Sequence, residues 1–188
     1  MDRGSPFVFN REDVTRQAGR RLSSQTLGVT SQSHQSSQGD PTVSDPEKQV
    51  LQALDTYRSA VLAKNAETFM HVYDPEVRVF DAWGIWAYEG AAAWRIAVEG
   101  WFSSLGSETV RVTFEDVKIT AEPSFASMSA FTRYAAFSAE GQELRAMQNR
   151  MTWVLKARGH VLRVVHEHTS TPIGFEDTKA MFKREGKS

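Results

Sequence analysis

The fold of this chain is decided by its last long stretch, residues 142–170, whose sequence is QELRAMQNRMTWVLKARGHVLRVVHEHTS. It contains two runs with the alternating apolar and polar residues of a β-strand, about Gln142 to Ala157 and His160 to Ser170. Arg158-Gly159, between the runs, is typical of a tight hairpin turn, because glycine adopts the positive φ that such turns need. The stretch therefore predicts two long antiparallel strands.

Two further strands are predicted before this hairpin, from about Glu108 to Glu122 and from Phe125 to Ala139. Pro123 and Ser124 separate them, and Glu140-Gly141 separates the second of them from the stretch quoted above. Strands that follow one another through hairpins pair antiparallel, so the pattern predicts an antiparallel sheet.

The region before these strands is predicted to be mainly helical. Apolar residues recur at helical spacing from Asp45 to Ala63, and shorter helices are expected at Ala66 to Tyr73 and Ala91 to Trp101. A short strand, Val77 to Asp81, and a loop from Ala82 to Gly90 lie between the last two helices. Helices that precede strands indicate an α+β fold, with the helices on one face of a curled sheet that encloses a pocket.

Composition excludes several classes of partner. The net charge is -1, which gives no general attraction to nucleic acid or to anionic membrane. No apolar run approaches the roughly 20 residues that a membrane span needs. The chain has no cysteine, which excludes disulfides and thiolate metal sites and fits a reducing, cytoplasmic location.

The chain is predicted to have three parts. Residues 1–44 include a Ser- and Gln-rich stretch with little to bury, and they are expected to be disordered or loosely ordered. Residues 45–172 form the folded domain, and residues 173–188 form a C-terminal tail.

The order of these elements resembles the nuclear transport factor 2 superfamily, which includes SnoaL-like proteins and ketosteroid isomerases. The run Leu162 to Pro172, LRVVHEHTSTP, is similar to the His-x-His-x-Ser ending of SnoaL-like proteins. A similar ending is found in the association domain of calcium/calmodulin-dependent protein kinase type II. The resemblance implies a cystatin-like cone, with three N-terminal helices packed on a curled antiparallel sheet.

Within this resemblance, the stretch from Tyr57 to Gly84 aligns with a ketosteroid isomerase without a gap. Tyr57 falls on that family's oxyanion-binding tyrosine, and Asp81 falls on its catalytic aspartate. Met151 falls where the family has a second, acidic donor, with Asn149 close by. The resemblance implies a cofactor-independent isomerase or lyase, acting on a small apolar or carbonyl-containing ligand with Asp81 as general base and Tyr57 as oxyanion donor.

Both candidate catalytic residues also have structural interpretations. Asp81 shares a strand face with Val77 and Val79, so it points inward if they do; alternatively its side chain caps the following loop. Tyr57 lies on the apolar face of the first helix and could be a core residue alone.

Eight more residues are predicted to contact the ligand. His166 and His168 are expected to share a strand face with Leu162 and Val164. Two histidines do not complete a catalytic metal site, which normally has three protein ligands, so no metal is expected, and hydrogen bonding to backbone or an interface role is the alternative. The eight are Tyr73, Trp83, Trp86, Trp101, Asn149, Met151, His166 and His168.

Two questions stay open at this level. The sequence does not decide whether Arg133, Arg145, Arg150 and Arg163 point inward, because one bulge reverses the alternation. It also does not decide between an enzyme and a non-catalytic ligand-binding or oligomerisation module. Both are compatible with a homodimer or a higher homo-oligomer.

Overall fold

The computed structural model describes residues 45–184, so the predicted segment 1–44 lies outside the described residues. In the described part of the chain, the helices are α1 (Asp45–Ala63), α2 (Ala66–Met70) and α3 (Ala91–Ser104). The strands are β1 (Tyr73–Phe80), β2 (Tyr88–Glu89), β3 (Thr109–Glu122), β4 (Phe125–Phe137), β5 (Glu143–Arg158) and β6 (Val161–Ser170). None of the helices described here is long and apolar enough to span a membrane.

The six strands form one sheet in the order β2-β1-β6-β5-β4-β3. The hairpins β3-β4, β4-β5 and β5-β6 are antiparallel, as predicted. β1 and β6 pair parallel, so the sheet is mixed rather than wholly antiparallel. Parallel neighbours need a long crossover, and here α3 and four strands lie between β1 and β6 in the chain.

The second helix is shorter than its sequence pattern predicts. Asn65 caps it by accepting a hydrogen bond from the Thr68 N–H at 2.9 Å, and the helix ends at Met70 rather than Tyr73. Tyr73 begins β1, which continues through Pro75. A proline is tolerated there because the pairing of β1 with β6 is irregular between Tyr73 and Arg78, so no ladder hydrogen bond is lost.

The helices cover one face of the sheet. α1 contacts β3, β4 and β6, while α3 contacts β1 and β2. Phe69 of α2 has no exposed surface and lies among aromatic rings of both other helices and of β1. Its ring centroid is 4.7 Å from that of Tyr57, 5.4 Å from Tyr73 and 5.9 Å from Phe102. This aromatic cluster is what joins the helical layer to the sheet.

A bulge at Val165 decides which side chains of β6 face the helices. Val154 of β5 pairs with His166, whereas the next residue, Leu155, pairs with Val164. The extra residue reverses the alternation, so Leu162 and Val164 are buried before the bulge, and Glu167 and Thr169 after it. The prediction that His166 and His168 share a face with Leu162 and Val164 is therefore wrong.

The aromatic cluster leads to a first prediction, for Phe69→Ala. Truncating a fully buried phenylalanine should lower the free energy of unfolding by about 3–5 kcal/mol, because apolar burial is lost and a cavity is left. Urea unfolding followed by circular dichroism measures this. Phe125→Ala is the control, since Phe125 is 47% exposed and its truncation should cost less than about 1 kcal/mol. Equal losses in the two variants would contradict the prediction.

Candidate functional site

A cavity of about 620 Å³ lies beside the aromatic cluster, between the helices and the inner face of the sheet. Its walls are mostly aromatic and aliphatic, with a few polar groups, which is the usual character of a small-molecule site. The lining residues are Tyr57, Asp81, Trp83, Gly84, Tyr88, Trp94, Ala97, Val98, Trp101, Leu105, Val110, Tyr134, Ala136, Arg145, Ala146, Met147, Asn149, Glu167, Thr169 and Phe182.

Glu167 is a buried carboxyl group in this cavity, only 1% exposed. The Tyr73 hydroxyl donates a hydrogen bond to its Oε2 at 2.6 Å, and the Trp153 Nε1–H donates to the same oxygen at 2.7 Å. Burial raises the pKa of Glu167 to about 7, the two hydrogen bonds oppose the rise, and the charge of Asp81 adds to it. Glu167 therefore changes its protonation state near neutral pH.

Tyr57 is both a core residue and a cavity residue. Its ring packs against Phe69 and Trp153, and its hydroxyl lies 2.8 Å from the hydroxyl of Tyr134 on β4. Burial raises the pKa of both phenols, so both stay protonated. One of the two hydrogens is used between the hydroxyls, and the other is left for a further acceptor.

Asp81 follows β1 and lines the cavity from that strand's end. The Thr169 hydroxyl donates a hydrogen bond to its Oδ1 at 2.8 Å, and that hydroxyl in turn accepts the Ala82 N–H at 2.8 Å. Burial raises the pKa of Asp81, while hydrogen bonds from Thr169 and from the N–H groups of Ala82 and Trp83 oppose the rise. Asp81 thus faces the cavity and also stabilises the start of the following loop.

Arg145 is the basic residue at the rim of the cavity. It makes a bidentate pair with Glu108, with Nη1 donating to Oε1 at 3.0 Å and Nη2 donating to Oε2 at 2.6 Å. This pairing lowers the pKa of the Glu108 carboxyl. The guanidinium charge is therefore already neutralised by a neighbour and faces solvent, with 62% of the side chain exposed.

Asn149 is buried in the cavity wall, and its side-chain Oδ1 accepts no hydrogen bond from the described residues. The cross-strand partner of Asn149 on β4 is Thr132, whose buried Oγ1 likewise has no partner within residues 45–184. Buried polar atoms without partners are rare, and at a cavity wall they indicate where a ligand or water would bond.

The C-terminal tail completes the cavity. Phe182 stacks on Trp83 with ring centroids 5.0 Å apart and planes 9° from parallel. The tail is attached at Gln148, whose N–H donates to the Phe182 carbonyl at 2.7 Å and whose Oε1 accepts the Arg184 N–H at 2.9 Å. The side chain of Arg184 also reaches Glu115, at 3.3 Å.

The predicted site residues divide into two groups. The structure brings Tyr57, Asp81, Trp83, Trp101 and Asn149 to one cavity. The remaining predictions, for Tyr73, Trp86, Met151, His166 and His168, fall on side chains outside its lining.

Tyr73 and Met151 are buried in the core beside the cavity, where Tyr73 supports Glu167. Trp86 is 97% exposed on the loop after Asp81, and it lines a second, more open pocket with His168, which Asp81 and Trp83 also border.

The bulge turns His166 and His168 to the outer face of the sheet. There the His166 Nδ1–H donates to the Arg78 carbonyl at 2.9 Å. Phe80 packs against both imidazoles, with centroid distances of 5.0 and 5.8 Å. Backbone hydrogen bonding was one of the two alternatives open for these histidines.

Sequence reasoning missed many of the cavity residues, and three of them contribute most to the site. Glu167 lies between the two histidines of the ending and was not among the predicted site residues. Tyr134 has no motif around it. Phe182 lies in the segment assigned as a tail. No local signal could have pointed to Glu167, because regular alternation places it on the face opposite Leu162 and Val164, and only the bulge turns it inward.

Comparison of the chain with known protein families identifies its family. The sequence profile of the SnoaL-like domain matches residues 50–174, and the chain belongs to this family, within the nuclear transport factor 2-like superfamily. No curated protein matches the chain.

Among solved structures, a nuclear transport factor 2-like protein of unknown function from Pseudomonas putida KT2440 is similar, with 19% identity and a TM-score of 0.66. The match covers 74% of this chain and 95% of that one. A putative calcium/calmodulin-dependent protein kinase II association domain from Xanthomonas campestris has 13% identity and a TM-score of 0.58, covering 73% and 96%. A Catenulispora acidiphila protein in complex with S-DNPA has 15% identity and a TM-score of 0.55, covering 65% and 90%. Together these matches confirm the cystatin-like α+β fold.

The raised pKa of Glu167 predicts a pH-dependent stability difference between the wild type and Glu167→Gln. A folded-state pKa of about 7, above the usual 4.5, means that the folded state binds more protons than the unfolded state between these values. The contribution of Glu167 is therefore fully present below about pH 4.5 and is lost as the pH rises through 7. The free energy of unfolding of the wild type, relative to the variant, should fall by a few kcal/mol from pH 5 to pH 8.

Urea unfolding of both proteins at the two pH values measures this change. Glu89→Gln, at an exposed carboxylate paired with Arg78, is the control and should show little pH-dependent difference. A Glu167→Gln difference that stays constant with pH would contradict the assignment of a raised pKa.

Proposed function

We propose that this protein binds a small apolar carbonyl compound in the cavity and isomerises it by acid/base catalysis without a cofactor. The observation that carries the proposal is the meeting of Asp81 with the Tyr57–Tyr134 hydroxyl pair at one mostly apolar cavity. A general base and an oxyanion donor that face the same space are the two groups that proton transfer beside a carbonyl needs.

Asp81 is the proposed base. Its ionised carboxylate takes a proton from the carbon next to the carbonyl, and the electrons of that C–H bond form a C=C bond while the carbonyl oxygen gains negative charge. Asp81 then returns the proton to another carbon of the same system, so the product is an isomer. Thr169 and the loop N–H groups hold the carboxylate in place during both steps.

The Tyr57–Tyr134 pair is the proposed oxyanion donor. The hydrogen that is not used between the two hydroxyls is free to bond the carbonyl oxygen as it becomes charged. A bond made more strongly to the charged intermediate than to the ketone lowers the barrier. The surrounding rings exclude water, which strengthens this interaction.

Small-molecule binding on this fold is supported by the similar Catenulispora acidiphila structure, which is in complex with S-DNPA. The ligand and the chemistry of this chain are proposals that depend on its own residues, since one fold hosts many functions.

The base assignment predicts the effect of Asp81→Asn. Exchange of hydrogen for deuterium next to the carbonyl of apolar cyclic ketones, followed by NMR in D₂O, detects proton removal even when the product is unknown. We expect catalysed exchange by the wild type and a loss of about 100- to 10,000-fold in the variant, which is the usual contribution of a general base.

Asp55→Asn is the matched control, because Asp55 is exposed on α1 and pairs with Arg58 at 3.0 Å. It should exchange like the wild type. Melting curves for both variants check that the fold is kept. Exchange that Asp81→Asn leaves unchanged would rule out Asp81 as the base.

A second candidate function is a non-catalytic assembly module. It is favoured by the outer sheet face, where Phe80, His166 and His168 form a ring cluster away from the helices. The similarity to the Xanthomonas campestris putative association domain supports it, and a homodimer or higher homo-oligomer would bury this face.

Light scattering at micromolar concentration tests the assembly proposal. We expect a mass of two or more chains for the wild type and a shift toward monomer for Phe80→Glu, because a charge would be buried unpaired in the interface. Phe125→Glu, at an exposed position at the start of β4, is the control. A strictly monomeric wild type would rule the assembly out.

A further inference from the structure

We propose that the ligand of the cavity carries a protonated amine, which binds at Glu167, on a planar apolar body that packs between the aromatic walls. The inference rests on the proposed ligand pocket, but it does not depend on catalysis by Asp81. It adds one group to the proposed ligand: the apolar carbonyl compound also carries an ammonium group.

The hydrogen bonds of Glu167 leave one of its oxygens for a ligand. Tyr73 and Trp153 both donate to Oε2, whereas Oε1 accepts no hydrogen bond from any described residue. Glu167 lines the cavity although it is 1% exposed, so bulk water has little access to it. An N–H donor on a ligand would supply the missing bond at Oε1, and it would be a strong bond because both partners are charged.

The charges around the cavity favour a cation. Asp81 and Glu167 both line it, and their mutual repulsion makes it costly to ionise the two together. The basic lining residue, Arg145, is held by two bonds to Glu108 at the rim. Within residues 45–184, the cavity therefore has two acidic groups and no uncommitted positive charge. An ammonium would relieve the repulsion, whereas a carboxylate ligand would increase it.

The walls suit the rest of such a ligand. Aromatic faces attract cations through their negative quadrupole and pack well against flat ring systems. The stacked pair of Trp83 and Phe182 at the mouth shows that planar groups already pack face to face here. The cavity volume of about 620 Å³ is in the range that holds a small molecule.

Asn149 adds to the same preference. Its buried Oδ1 has no donor among the described residues, so it is a further acceptor in the wall beside the two carboxyls. A primary ammonium has three donors and could satisfy more than one of these acceptors, which a carbonyl or carboxylate oxygen could not do.

Three probes of nearly equal size test the proposal by calorimetry at pH 7.5. They are 2-naphthylmethylamine, which is protonated at this pH, 2-naphthalenemethanol, which is neutral, and 2-naphthoate, which is an anion. We expect the wild type to bind the amine at least about tenfold more tightly than the alcohol, as is usual for a desolvated charged hydrogen bond, and naphthoate most weakly.

The variant Glu167→Gln should bind the amine and the alcohol within about threefold of each other, since its side chain keeps its shape but loses its charge. Glu167→Asp retains the carboxylate and should keep a preference for the amine. Glu89→Gln is the charge-matched control, because it removes one exposed carboxylate outside the cavity lining, and it should preserve the full preference.

The proposal is overturned if the wild type binds the alcohol or naphthoate as tightly as the amine, or fails to bind the amine at millimolar concentration. An amine preference that survives in Glu167→Gln also overturns it. The order of affinities for the three probes is measured on the wild type alone, so it still tests the proposal if a variant does not fold. If the wild type shows no amine preference but its deuterium exchange depends on Asp81, this inference alone is rejected. If the wild type prefers the amine but its exchange does not depend on Asp81, only the proposed catalysis is rejected.

Discussion

The carboxyl group of Glu167 is the constraint around which the inner face of the sheet is arranged. It connects three neighbouring strands, since Glu167 lies on β6, Tyr73 on β1 and Trp153 on β5. A buried carboxyl is costly unless its oxygens are hydrogen-bonded, and two ring donors meet that need at one oxygen. The rings of Tyr73 and Trp153 are themselves core residues, 6.5 Å apart. The core and the cavity are thus built from the same side chains.

The cavity owes its chemical character to what surrounds this carboxyl. Asp81 is held by Thr169, two residues after Glu167 on the same inner face of β6, and Tyr57 and Tyr134 face it from the helical layer and from β4. The positive charge of Arg145 is paired with the carboxylate of Glu108 at the rim of the cavity. The cavity is therefore acidic and aromatic at once, which suits both the proposed base, Asp81, and the proposed cation-binding group, Glu167.

The outer face of the same sheet has a different character. The bulge that turns Glu167 inward turns His166 and His168 outward, where they pack on Phe80. One irregularity in one strand thus separates the cavity side of the sheet from the side of the histidine cluster. The proposed catalysis and the proposed assembly are compatible in this architecture, because they would use opposite faces of the sheet.

Sequence alone determined the α+β class and the four long strands with their hairpins, and it singled out Tyr57 and Asp81 as candidates that the tertiary structure places at a cavity. These follow from local periodicity, turn residues and the family resemblance. The parallel pairing of β1 with β6, the passage of β1 through Pro75, the bulge at Val165 and the docking of Phe182 on Trp83 were decided only by the tertiary structure. Each depends on strands or segments far apart in the chain, whose register no local pattern contains. The position of Glu167 belongs with this second group. Regular alternation would have placed its side chain on the outer face of the sheet, and the bulge at Val165 places it on the inner face, where His166 and His168 were expected.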